Sequence, residues 1–182
     1  PEALAIFGKK KNLRLLALPI KYNQHDMMSR SISGGHLIQS EDYDLNHKLN
    51  DVTKKEFPTD KKGLAQFGIV VCKHLRSNAI CLVHQTAHGG YALSGAGMGN
   101  PNRLISHQQA FDKARQNGHQ DLSQMVLISD AFFPFADNIQ IAHAAGVRYI
   151  IQPGGSIKDK EVIAACNQQE VSMSLTNTRH FR

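Results

Sequence analysis

Four short apolar runs, SNAICLVH (77–84), MVLIS (125–129), VRYIIQ (147–152) and VSMSLT (171–176), alternate with segments of helical periodicity. That alternation constrains the fold more than any other feature of the chain. Leu64, Phe67, Val70, Val71 and His74 fall near helical spacing inside a predicted helix from Thr59 to Leu75, with Thr59 as its N-cap. SNAICLVH and GGYALSGAG read as a hairpin joined through Gln85 to Gly90. Further helices are expected from Asn102 to Gln116, from Asp137 to about His143–Gly146, and from Ile157 to Gln168. Gly118 and Gly146 stand where left-handed C-caps would end two of them. Upstream, NLRLLAL (12–18) reads as a strand stopped by Pro19, and ISGGHLIQ (32–39) as a strand with a glycine break. From residue 64 the order is helix, hairpin, helix, strand, helix, strand, helix, strand. The expectation is a layered α/β domain on a mixed sheet whose later strands run parallel.

With 182 residues, 41% of them hydrophobic and 20% charged, the chain has the size and composition of one globular domain spanning 1–182. No apolar run has membrane-spanning length, and no signal-peptide core is visible near Pro1. Three cysteines, Cys72, Cys81 and Cys166, are odd in number and widely spaced, which favours a reducing compartment, and a cytoplasmic location is expected. The formal charge of +6 raises a nucleic-acid reading. However, the densest basic run is only GKKK (8–11), and no RNP or zinc-finger pattern accompanies it. A modest positive balance suits small anionic ligands equally well. Neither a nucleic-acid nor a membrane partner is expected.

Parallel sheets gather ligands where strands end and helices begin. Three stretches have that placement: DAFFPFADN (130–138), PGGSIKD (153–159) and TNTRHFR (176–182). The first holds three of the chain's eight Phe, with Asp130 and Asp137 on either side. Core plugging accounts for Phe133 more readily than for all three. Helix capping alone would explain Ser156 with Asp159, and Asp137. Other motifs fail. GAGMGN (95–100) has Asn where a dinucleotide fingerprint needs its third glycine, and Cys81 and His84 sit at odd spacing on one strand, on opposite faces. The strings of a zinc deaminase and a nucleophile elbow are absent. No metal is expected.

SDAFFPFADN, IIQPGGSIKDKEVIAA and TNTRHFR, together with KHLRSNAI (73–80) and GAGMGNPNR (95–103), resemble the C-terminal part of phosphoribosylaminoimidazolecarboxamide (AICAR) formyltransferase. This is the transformylase half of a bifunctional bacterial purine-biosynthesis enzyme that also carries IMP cyclohydrolase. The resemblance runs from KKKNLRLLAL onward. It implies a cytidine-deaminase-like α-β-α fold without zinc, of which this chain would be the second copy, and active sites shared across a homodimer. It also implies transfer of a formyl group from 10-formyltetrahydrofolate, a cosubstrate, to the 5-amino group of AICAR. Carried over by motif, Asn78 matches the asparagine near the reacting amine and formyl group, and Asp137 the aspartate that orients folate. Arg103 matches the arginine on the AICAR carboxamide, and Arg179 the one on its phosphate. Phe132 and Phe135 match aromatics packed on substrate and folate rings. Asn102, Pro134 and Asn138 are further contact candidates.

The sequence also departs from the family. The catalytic lysine-histidine motif is absent, and Lys73-His74 is not its equivalent because the residues that should follow are missing. The cyclohydrolase domain and the first transformylase copy are missing too, so the chain reads as a fragment that would be inactive alone. Ala136 stands where a polar residue is common. Two other readings remain: a non-enzymatic nucleotide-binding module, and a deaminase-like RNA-binding domain.

Overall fold

The computed structural model describes residues 2–17, 27–44 and 47–181. The chain divides into two compact units, Pro1–Tyr43 and Asp44–Arg182.

The first unit holds helix α1 (Glu2–Phe7) and an antiparallel hairpin of β1 (Met27–Ile32) and β2 (Gly35–Ser40). The expected single strand over 32–39 is instead the turn and second arm of this hairpin, because Ile32 pairs with Gly35 across Ser33–Gly34. The expected strand over 12–18 does not form: residues 13–17 are irregular, and Leu18 lies outside the described residues. A strand needs a hydrogen-bonding neighbour, and β1 and β2 pair with each other in their two-stranded sheet. Leu13, Leu15 and Leu16 are exposed, as are Met27, Leu37 and Ile38.

The second unit is built on a six-stranded mixed sheet of order β3-β8-β7-β6-β4-β5. Its elements are β3 (Asn50–Asp51), a 3-10 turn (Thr59–Lys61), α2 (Lys62–Lys73), β4 (Ile80–Gln85), β5 (Tyr91–Gly97), α3 (Arg103–Gln116) and β6 (Val126–Ser129). They are followed by α4 (Asp137–Ala144), β7 (Tyr149–Gln152), α5 (Asp159–Gln168) and β8 (Ser172–Leu175). β6, β7 and β8 are parallel, as the helix-strand alternation requires, while β4 runs antiparallel to both β5 and β6. Alternating side chains divide the core. Ile80, Leu82, Leu127 and Ile150 join Phe111 of α3, Ile139 of α4 and Val162 of α5 on one face. Cys81, Val83, Val126, Ile128 and Ile151 meet Leu64, Ala65 and Ile69 of α2 on the other. The result is an α-β-α sandwich in which each large side chain fully buried contributes about 1.5–3 kcal/mol.

The inward face of α2 departs from expectation. Leu64, Ala65, Gly68, Ile69 and Cys72 point inward, while Phe67, Val70 and Val71 are only half-buried and His74 is exposed. Gly68 decides this register, because a side chain there would collide with Ile128. Nor is Thr59 an N-cap: it opens the 3-10 turn, whose cap position is Pro58, with no side-chain bond. The ends of α3 and α4 follow the glycines. Gly118 and Gly146 take positive φ, and each helix closes with the paired bonds of a Schellman motif, Gly118 N–H to Arg115 O with His119 N–H to Ala114 O, and Gly146 N–H to His143 O with Val147 N–H to Ala142 O. Glu170 takes the same role after α5 without a glycine to announce it.

Candidate functional site

Three loops leave the carboxyl ends of β6, β7 and β8 on one edge of the sheet, and the start of the antiparallel β4 reaches the same edge, since Ile80 pairs with Ser129. Buried polar groups tie these segments together. The Gln152 side chain accepts from Phe133 N–H at 3.0 Å and from Gly154 N–H at 3.3 Å, joining the first loop to the second. Thr176 N–H donates to Gln152 O, and Asn177 N–H to Pro153 O, joining the tail to the second loop. Asp130 links the rest: its N–H donates to Ala79 O at 3.3 Å, and its carbonyl accepts from His180 N–H at 3.0 Å. Neither Gln152 nor His180 carries a local sequence signal for this role. Their use depends on which strands become neighbours.

The aromatic corner divides by position. Phe133 is fully buried against His107, with ring centroids 5.5 Å apart, and is the core plug. Phe132 and Pro134 are half-buried, and Phe135 is 57% exposed. A large aromatic left in water at the mouth of a loop cluster is available for stacking.

Arg103, the first residue of α3, is 9% exposed and sends Nη2 to Asp130 Oδ1 at 2.9 Å and Nη1 to Phe132 O at 3.3 Å. Arg103 Nε and Asp130 Oδ2 are buried with no hydrogen-bond partner. Asn102 caps α3, its Oδ1 accepting from Ile105 N–H at 3.0 Å. Asn78 is half-buried at the entry to β4; its Nδ2 donates to Asn100 O at 2.9 Å, and its carbonyl accepts from Ser106 Oγ at 2.7 Å. Asp137 begins α4 but does not cap it: the cap residue is Ala136, and Asp137 Oδ1 accepts from Asn138 Nδ2 at 2.8 Å. Asn138 also donates to Phe135 O at 3.1 Å, which leaves its buried Oδ1 without a partner. Arg179 is exposed and makes no hydrogen bond or ion pair among the described residues.

The structure therefore brings Arg103 into contact with Asp130 and Phe132, and Asn138 into contact with Asp137 and Phe135. Asn78 and Arg179 are tethered to the same edge through Ala79, Asp130 and His180. The PGGS loop is braced differently from the expected cap at Ser156: Asp159 Oδ2 accepts from Gly155 N–H at 2.7 Å, Ser156 Oγ from Lys158 N–H at 3.1 Å, and α5 opens at Asp159. Lys73 ends α2 with Nζ donating to Asp44 O at 3.4 Å, and His74 is the exposed residue after it.

Among the described residues, no group of three or more His, Cys, Asp or Glu is placed to hold a metal ion. Cys81 points to the α2 face of the sheet, whereas His84 packs on His119 after α3, as odd spacing on one strand dictates. All three cysteines are buried and free. A hydrogen bond to Cys81 and burial raise the Cys72 thiol well above its ordinary range, and burial pushes Cys166 up to about 12. No described helix is long and apolar enough to cross a membrane.

Comparison with known proteins bears on the same segments. Over all 181 aligned residues, the chain is 42% identical to the bifunctional purine biosynthesis protein PurH of Aquifex aeolicus, covering 100% of this chain and 34% of that protein. The PurH proteins of Prochlorococcus marinus (strain CCMP1986 / NIES-2087 / MED4) and Listeria monocytogenes (serovar 1/2a) are 41% and 42% identical over 189 residues, with the same coverage. The chain thus spans about a third of the length of these relatives. A family described as the AICARFT/IMPCHase bienzyme matches residues 1–113, more than half of the chain. The chain belongs to the AICARFT/IMPCHase bienzyme family.

Proposed function

We propose that this chain is the C-terminal part of an AICAR transformylase, where it binds AICAR and 10-formyltetrahydrofolate for formyl transfer in purine biosynthesis. The observation that carries the reading is the sheet edge itself. There Arg103 contacts Asp130 and Phe132, Asn138 contacts Asp137 and Phe135, and hydrogen bonds of the neighbouring Ala79 and His180 to Asp130 tether the segments that carry Asn78 and Arg179. In the transfer, a bond forms between the AICAR amino nitrogen and the formyl carbon, the bond from that carbon to the folate nitrogen breaks, and the amine proton passes to that nitrogen. The aromatic amine is a weak nucleophile because its lone pair is delocalised, so positioning and a base are both required. Asn78 offers an amide that does not titrate, suited to the developing formyl oxyanion. Arg179 presents a forked donor set for a phosphate. Arg103 Nε, buried and unpartnered beside its ion pair, suits a carboxamide oxygen. Phe132 and Phe135 form a stacking wall, with Asp137 at its lip to orient folate.

On this reading residues 44–182 are a cytidine-deaminase-like subdomain that works without metal in the cytoplasm, and the base comes from residues outside this chain. The active form is a homodimer with shared sites; the exposed Leu and Ile side chains of the first unit supply apolar surface for such an association. A non-enzymatic nucleotide-binding module remains the second reading, favoured by the absence of the lysine-histidine motif from this sequence.

Steady-state kinetics of Asp137→Asn and Arg179→Lys in the complete enzyme test the proposal. Asp137→Asn should lower kcat/KM for folate by about 2 kcal/mol of transition-state stabilisation, the scale of a charged hydrogen bond, with little change in melting temperature. Arg179→Lys keeps the charge but loses the fork, and should raise the AICAR requirement more than the folate requirement. Wild-type kinetics in both variants would refute these roles. AICAR binding without turnover in the complete protein would establish the second reading instead.

A further inference from the structure

Two imidazoles meet at the base of the C-terminal tail, and the proposed chemistry uses neither. His47 Nε2 and His180 Nε2 lie 3.0 Å apart, with the rings edge-on and both residues 6% exposed. At that separation one proton sits between the nitrogens, so one ring donates and the other accepts. His47 is itself fixed by α2: its N–H donates to Gln66 Oε1 at 3.3 Å, and its carbonyl accepts from Gln66 Nε2 at 2.5 Å. Asp44 Oδ2 stands 3.7 Å from His47 Nδ1, and the Asp44 carbonyl accepts from Lys73 Nζ of α2. On the far side, the His180 N–H is held by the carbonyl of Asp130, whose carboxylate is paired with Arg103. The tail is therefore clamped on both sides at His180. The residue immediately before it is Arg179, exposed and reaching outward.

We propose that His47 is a positioning residue: through the His180 imidazole it fixes the tail backbone so that the Arg179 guanidinium is presented in advance to the phosphate of the substrate. The proposal rests on the reading of Arg179 as a phosphate ligand. Asn177, Arg179 and Phe181 are all exposed, so packing of their own side chains does little to order this segment. Without the imidazole pair, phosphate binding would have to order the tail as well as bind, and the ordering cost would appear as weaker binding of the anionic substrate.

The test is steady-state kinetics on the complete protein that carries these residues. His47→Ala should raise KM for AICAR about tenfold, while kcat and the folate KM stay within about twofold of wild type. His47→Gln places an amide nitrogen near the position of Nε2 and should restore the AICAR KM to near the wild-type value. His47→Asn is too short to reach His180, so it should behave like His47→Ala and serves in its place if the alanine variant does not fold. Arg179→Ala is the control for the underlying reading: an unchanged AICAR KM there would refute the phosphate role of Arg179 itself. A raised KM in Arg179→Ala alongside wild-type values in His47→Ala and His47→Asn would overturn the positioning role alone. A fall in kcat with unchanged KM would also overturn it. So would stoichiometric zinc that is lost in His47→Ala, because a metal would then replace the shared proton.

Discussion

Burial pushes the His107 imidazole down from its ordinary value of 6.5 to about 4. The Arg103 charge one turn away pushes in the same direction, whereas the bond to the Arg103 carbonyl and the Asp137 carboxylate oppose it. Nδ1 lies 3.0 Å from Arg103 O, an acceptor only, so Nδ1 carries the proton and the buried Nε2 is left as an unpaired acceptor. The sign of the pH effect follows. Between pH 6.5 and 4 the unfolded chain binds a proton at this residue that the folded chain does not, so stability falls as pH falls through that window. The loss should approach roughly 3 kcal/mol, at about 1.36 kcal/mol for each pH unit that separates the folded from the unfolded value. Urea titrations at pH 6.5 and 4 should show this loss in the wild type, and a markedly smaller one in His107→Leu, since the carboxylates titrate alike in both. Equal losses would refute the assignment. The same residue scale shows what sequence reasoning could reach at the site. Arg103 is a candidate from its motif and Asp130 is visible only as a flank of the aromatic cluster; their ion pair spans 27 positions and needs β6 beside β4 to form.

At the scale of elements, GAGMGN finds its explanation in packing. A Cβ on Gly95 would run into the carbonyl of Ala110, and one on Gly97 into the backbone of Ser106, so the two glycines let α3 lie directly on β5. The fingerprint resemblance in the sequence is thus a close helix-strand contact and not a phosphate cradle. Because α3 carries Arg103 and Ser106 to the site edge, this contact also sets the site. Gly97→Ala should destabilise the fold by about 1–3 kcal/mol, the usual cost of overpacking, read as a lower denaturation midpoint with unchanged m-value. A neutral outcome would mean that α3 has room to withdraw. Helix ends were legible where glycine marked them, at Gly118 and Gly146, and illegible at Glu170, whose positive φ is imposed by the bond from Val171 N–H to Cys166 O.

At the scale of the whole molecule, every buried core residue among those described lies in the second unit; the first unit buries none. Residues 44–182 expressed alone should therefore unfold in one cooperative transition, whereas residues 1–43 alone should show none. Circular dichroism with thermal and urea unfolding of the two fragments measures this directly. A non-cooperative melt of 44–182 would show that its stability depends on the preceding residues. By itself, the sequence determined the kinds and order of the elements after residue 59, the parallel run of the last three strands, and the loops that crowd one edge, because hydrophobic period and turn chemistry are written locally. The tertiary structure alone decided which face of α2 turns inward, and that the stretch expected as one strand over 32–39 is the turn and second arm of a hairpin. It alone joined His47 to His180 across 133 positions. Those outcomes depend on what each side chain meets when distant segments pack, and no local pattern carries that information.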